Sequence, residues 1–230
     1  MKQHKKHPNE FRAPRLAIPR QFELMKNVWH ANEPGYKHLF GVEWILVLFL
    51  VTIQFIFPTL YIRHFLGKTL HSRKLWIETW AISKPVILLV LLNVQGFPIL
   101  RQILATYFLL DLYAYLFGLV FLSDFYSGNI SKKRNMFLLL INFCESCFGF
   151  ALIYLCQKSL MSNGAVLSEI VDHLYFSFIT AATVGYGDII STSKLVVITQ
   201  VVSSFVFVSV ILSVIIGGKD QSKLQTDSPD

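Results

Sequence analysis

His173-Leu174-Tyr175-Phe176-Ser177-Phe178-Ile179-Thr180-Ala181-Ala182 runs directly into Thr183-Val184-Gly185-Tyr186-Gly187-Asp188. The first stretch reads as a short apolar helix. It is too short to cross a bilayer, which takes about 20 residues. The second stretch cannot continue that helix, because Gly185 and Gly187 alternate with bulkier residues and favour positive φ. An apolar chain approaches both ends of this segment: Met136 to Cys156 before it and Leu195 to Ile216 after it. Helix, irregular strand and two flanking spans therefore share one membrane depth. Non-helical backbone is tolerated there only when it is buried in protein or lines water.

Composition agrees with a membrane location. More than half of the residues are hydrophobic (53%) and only 15% are charged, and the apolar residues are gathered into long runs. The formal net charge of +7 does not indicate a nucleic-acid binder, because the basic residues flank apolar runs instead of forming one basic face. Basic residues in such positions face anionic lipid and set orientation. Cys144, Cys147 and Cys156 sit in one apolar helix. Cys144 and Cys147 have metal-like spacing but no second pair, so they read as small buried residues. The opening residues are polar and basic, with no signal-peptide core. The sequence holds no phosphate loop, metalloprotease motif or nucleophile constellation, which argues against an enzyme and against a cofactor.

The expected fold class is an all-α membrane protein: several transmembrane helices, then a module of outer helix, pore helix, filter and inner helix. Residues 1–41 form a basic N-terminal segment, with eight Lys/Arg against three acids. Phe22–Trp29 suits a short amphipathic helix lying on the membrane. Residues 42–122 hold two or three spans, 123–135 a cytoplasmic connector with Lys132, Lys133 and Arg134, 136–217 the pore module, and 218–230 a short cytoplasmic tail. The first span is expected at Val42–Ile62. Trp76–Pro98 is ambiguous, since Lys84 and Pro85 precede its apolar centre. Counting it as a span gives five and puts the N-terminus outside. Leaving it buried gives four and puts the N-terminus inside, but strands Arg63, Lys68, Arg73 and Lys74 outside. The five-span arrangement is preferred.

Leu174 through Asp188 resembles the pore helix and filter of the potassium channel superfamily, and is most similar to prokaryotic channels with one pore domain per chain. The resemblance covers Met136 to about Ile216. It implies a homotetramer in the cell membrane, multi-pass, in which four chains present backbone carbonyls that replace the hydration shell of K+. Thr183, Val184, Gly185, Tyr186 and Gly187 would form the filter, with the Thr183 hydroxyl adding an inner ring. K+ is then the permeant ion. Asp188 would stand at the outer mouth. Ala182 departs from the family, where a second Thr is common, and Ile179 stands where some relatives carry a glutamate that pairs with the aspartate. Tyr175 occupies the position of a tryptophan donor and is expected to hydrogen-bond Asp188. Phe176 is expected to pack on Tyr186.

The inner helix lacks the mid-helix glycine that related channels use as a hinge. Phe207 stands in its place, so Phe207, Gly217 and Gly218 are the gate candidates, with any large bend expected at the two glycines. No cytoplasmic ligand-binding domain is expected after Ile216, and no helix repeats Arg or Lys at every third position as a voltage sensor does. Lys84, Arg101, Asp111 and Glu145 lie in apolar stretches, where charges are costly and either pair with one another or do work. Trp29, Trp44, Trp76 and Trp80 suit the membrane interface.

Overall fold

The computed structural model describes residues 17–30, 41–66, 70–121 and 132–226. The N-terminal segment up to residue 16, the connector at 122–131 and the last four tail residues lie outside the described residues. The chain divides into two compact units, residues 1–79 and 80–230.

In the first unit, α1 (Ala17–His30) carries the expected amphipathic stretch, with Pro19 in its first turn, where proline is tolerated. It packs on α2 (Val42–Ile53) and α3 (Pro58–Phe65). Buried Gln21 donates to the Val51 carbonyl at 3.0 Å, and the Trp44 indole donates to the Val28 carbonyl at 2.9 Å. The expected span at Val42–Ile62 is not formed. Phe57 precedes Pro58 and takes an extended conformation (φ −98°, ψ 144°), as proline demands of the residue before it. Helix α2 ends at Ile53, and its 12 residues rise about 18 Å, short of the roughly 30 Å hydrocarbon core.

Among the described residues four helices are long and apolar enough to cross a membrane: Leu75–Asn93, Pro98–Phe121, Met136–Gln157 and Lys194–Leu212. They belong to α4 (Leu70–Asn93), α5 (Pro98–Phe121), α6 (Lys132–Gln157) and α8 (Lys194–Thr226). The ambiguous stretch is thus a helix of spanning length, with Pro85 accommodated inside it. The four helices match neither arrangement expected from the sequence.

The core of the second unit lies between α5, α6, the short α7 (Ile170–Ala181) and α8. Leu109 on α5 packs directly over Gly149 on α6. A Cβ at Gly149 would sit 2.9 Å from a Leu109 methyl, so only glycine permits this approach without a shift. The intramembrane charges also meet here. Lys84 on α4 lies 3.0 Å from Asp111 on α5 and 3.0 Å from Glu145 on α6, and all three are buried.

A three-stranded sheet of order β2-β1-β3 was not foreseen. β1 (Leu160–Ser162) and β2 (Ala165–Val166) are joined by Asn163-Gly164, both at positive φ (51° and 80°), the signature of a type I′ hairpin. β3 (Ile190–Ser191) pairs with the other edge of β1.

Candidate functional site

Helix α7 ends as the filter segment begins. Ala182 caps it in a helical conformation (φ −78°, ψ 0°). The chain then turns left-handed at Thr183, φ +57°. The Thr183 amide donates to the Thr180 carbonyl at 3.0 Å and the Val184 amide to the Ile179 carbonyl at 2.9 Å. These two bonds define a Schellman motif with Thr183 in the position that usually holds glycine. For a β-branched residue this conformation is costly. Positive φ recurs at Gly185 (+53°) and Gly187 (+83°), so left-handed residues alternate along the segment. Within one chain, a Cβ at either glycine would meet open space, and φ alone is what demands glycine there.

Residues 182–188 are all exposed in the single chain. What holds them lies at the two ends. At the inner end, the Thr183 hydroxyl lies 2.7 Å from the Ala182 carbonyl and the Schellman bonds fix the turn. At the outer end, the Ser162 hydroxyl donates to the Asp188 carbonyl at 2.9 Å, and β3 returns to pair with β1. The Tyr175 ring stacks on Tyr186, with centroids 6.5 Å apart and planes 3° from parallel. Desolvation, with the neighbouring Asp188 carboxylate, raises the Tyr175 pKa above the ordinary phenol value. Tyr175 therefore stays protonated and able to donate at neutral pH.

Phe176 does not take the place expected for it. The ring is buried against Tyr154 of α6, centroids 5.1 Å apart and nearly perpendicular, and within the chain Tyr175 is the residue that meets Tyr186. One helical position separates the two faces of α7: Tyr175 meets Tyr186 and Phe176 meets Tyr154 of α6.

A buried polar network ties α7 to both neighbouring helices. The Tyr154 hydroxyl donates to Gln200 Oε1 at 2.9 Å. Gln200 Nε2 donates to Ser177, whose own hydroxyl donates to the Cys147 carbonyl at 2.7 Å. His173, fully buried, donates from Nδ1 to the Glu169 carbonyl at 2.6 Å. Burial lowers its pKa below the ordinary histidine value, so it is neutral at neutral pH.

On α8, Phe207 is buried between α5 and α6, beside the rings of Tyr113 (6.1 Å) and Phe143 (5.8 Å). It anchors the helix to its own chain, pointing away from the exposed stripe formed by Leu195, Ile198, Val202, Phe205, Val208 and Leu212. Gly217 and Gly218 lie within α8, which continues through them to Thr226.

Helices of spanning length, a short helix between the last two of them, and an irregular segment returning from its end define an all-α membrane protein built around a channel module. Residues 137–217, 81 of the 230, match the family described as Ion channel. That match covers most of α6, all of α7, the segment Thr183–Asp188 and α8 up to Gly217, and it supports an ion channel and not an enzyme. No curated protein and no solved structure matches the chain.

Proposed function

We propose that the protein is a subunit of a potassium-selective channel that conducts K+ passively across the cell membrane as a homotetramer. The observation that carries this reading is the segment Thr183–Gly187, where left-handed residues alternate and the whole backbone is exposed in one chain. Such a backbone at membrane depth needs cover on one side and water on the other. Four copies around an axis supply both: neighbours cover Val184 and Tyr186, and the carbonyls face an ion path. The exposed apolar stripe of α8 finds its partners in the same assembly. The K+ ligands are the backbone carbonyls of Thr183 through Gly187 and the Thr183 hydroxyl, with Asp188 at the mouth, supported by Tyr175.

Four helices of spanning length also support one orientation for the charge pattern. With the connector between α6 and α8 outside, α4 begins on the cytoplasmic side. Because α2 is too short to cross, Arg63, Arg73 and Lys74 are read as staying on that side. Lys132, Lys133 and Arg134 join them. All the basic connectors then lie inside, which neither arrangement drawn from the sequence achieved.

Purified protein in liposomes tests the reading. Potassium flux should follow the potassium gradient alone, without a coupling ion or ATP, and sodium should be excluded. Flux without preference for potassium over sodium overturns the selectivity. Absence of flux from the reconstituted homomer overturns the channel subunit as proposed.

A further inference from the structure

Lys84, Asp111 and Glu145 bring one positive and two negative formal charges together inside the membrane. The Lys84 ammonium lies 3.0 Å from Asp111 Oδ2, with which it makes a hydrogen bond, and 3.0 Å from Glu145 Oε1. Relative exposures are 5%, 3% and 0%. Glu145 is the imperfect member. Its Oε1 contact has the distance of an ion pair without hydrogen-bond alignment, and Oε2 has no hydrogen-bond partner among the described residues. A carboxylate so placed is among the most expensive groups to bury, whereas a neutral carboxylic acid is far less so.

Among the described residues, Lys84 is the cation paired with these carboxyl groups. On α5, Tyr113 lies near Glu145, but its hydroxyl is engaged with Ser146 at 2.8 Å and with Ser203 of α8. On α6, Cys144 and Cys147 flank Glu145 in sequence and are neutral thiols. The charged groups acting on the Glu145 carboxyl among the described residues are Lys84 and Asp111. Among these groups one cation faces two carboxyl groups, and a bound proton balances the second.

We propose that the Lys84–Asp111–Glu145 triad is an intramembrane proton-binding site, holding one exchangeable proton on its carboxyl pair so that the buried cluster is neutral. The ligand is H+ itself. Binding converts one carboxylate to a carboxylic acid, and release leaves net negative charge between α4, α5 and α6. Tyr113 transmits that change, because it contacts Ser146 beside Glu145 and also Ser203 and Phe207 on the inner helix. This site shares no residue with the segment Thr183–Asp188 and does not depend on that segment's selectivity.

Charge balance makes the test sharp. Infrared difference spectra of the full-length protein in liposomes, titrated with pH, should show a carboxylic-acid carbonyl band equivalent to one group. Glu145→Gln and Asp111→Asn each leave one cation with one anion, so either substitution alone should abolish the band. Lys84→Met should instead roughly double it, since two carboxyl groups then need protons. If Lys84→Met does not assemble, the two amide variants decide. No titratable carboxyl band in the parent, or a parent band that persists unchanged in both amide variants, overturns the proposal. Because the readout is spectroscopic, a negative result here leaves the flux assay unaffected, and the converse holds.

Discussion

Gln200 on the inner helix reaches both oxygens of Ser177 on the short helix, its Nε2 standing 2.8 Å from the carbonyl and 2.8 Å from the hydroxyl. Its Oε1 at the same time accepts from Tyr154 of the outer helix. One side chain thus joins the three helices of the channel module. In Gln200→Leu the Tyr154 hydroxyl loses its acceptor and Ser177 its donor. Each buried orphan costs about 1–3 kcal/mol. We expect lower thermal stability by that order and disturbed conduction. Ser177→Ala should cost less, because the Ser177 carbonyl keeps its bond. Thermal denaturation of both variants checks the ranking, and equal stability of Gln200→Leu and the parent would rule out a structural role for the network.

Tyr175→Phe removes the hydroxyl beside Asp188 while leaving the ring stacked on Tyr186. The expected outcome is a changed balance of conducting and inactivated filters in a protein that folds and assembles as before. Single-channel recording reads open probability and inactivation directly. Since the Tyr175 pKa is raised, its proton is retained through neutral pH and beyond the ordinary phenol range near 10. Any pH response near neutrality should therefore survive in Tyr175→Phe.

Gly185→Ala places a side chain where φ is +53° and where space is open within the chain. The strain is conformational, about 1–2 kcal/mol for a left-handed L-residue, and it is repeated in each subunit. Potassium selectivity should be lost or degraded with little change in expression. Measured potassium-over-sodium permeability equal to the parent would contradict the filter assignment.

Thr183→Gly makes the opposite trade. It relieves the left-handed strain at the end of α7 but removes the hydroxyl and adds chain entropy. The balance is a stability gain of up to about 1 kcal/mol together with impaired ion coordination. A stabilised protein with poor selectivity is the expected pair of observations, from thermal unfolding and reversal potentials.

Voltage dependence should be weak. No described helix repeats Arg or Lys at every third position, and the buried cation Lys84 is held between two carboxyl groups. Conductance–voltage curves equivalent to several gating charges per subunit would refute this.

The positive φ at Gly185 and Gly187 was legible from residue types alone, because glycines there have a conformational meaning that survives without neighbours. Two features were written in the sequence and went unread: Asn163-Gly164 signals a hairpin, and Phe57-Pro58 signals a break. Length misled at Val42–Ile62, where apolar content suggested one span and proline made two short helices. The left-handed turn at Thr183 was not legible, since threonine rarely closes a helix. Nor was the placement of Phe176, which depends on how α7 rotates against α6. The pairing of Lys84 with Asp111 and Glu145 requires three helices in register, which no local pattern encodes.

The pairing of Leu160 with Ser191 closes the chain on itself around the filter segment. Whatever happens at the tip, both feet of this loop stand on the same small sheet. In the proposed tetramer, each subunit would bring the loop already turned back and its exit point fixed. Such an assembly would have less disorder to remove, and distortions in the segment would be confined between two fastened ends instead of spreading into the helices.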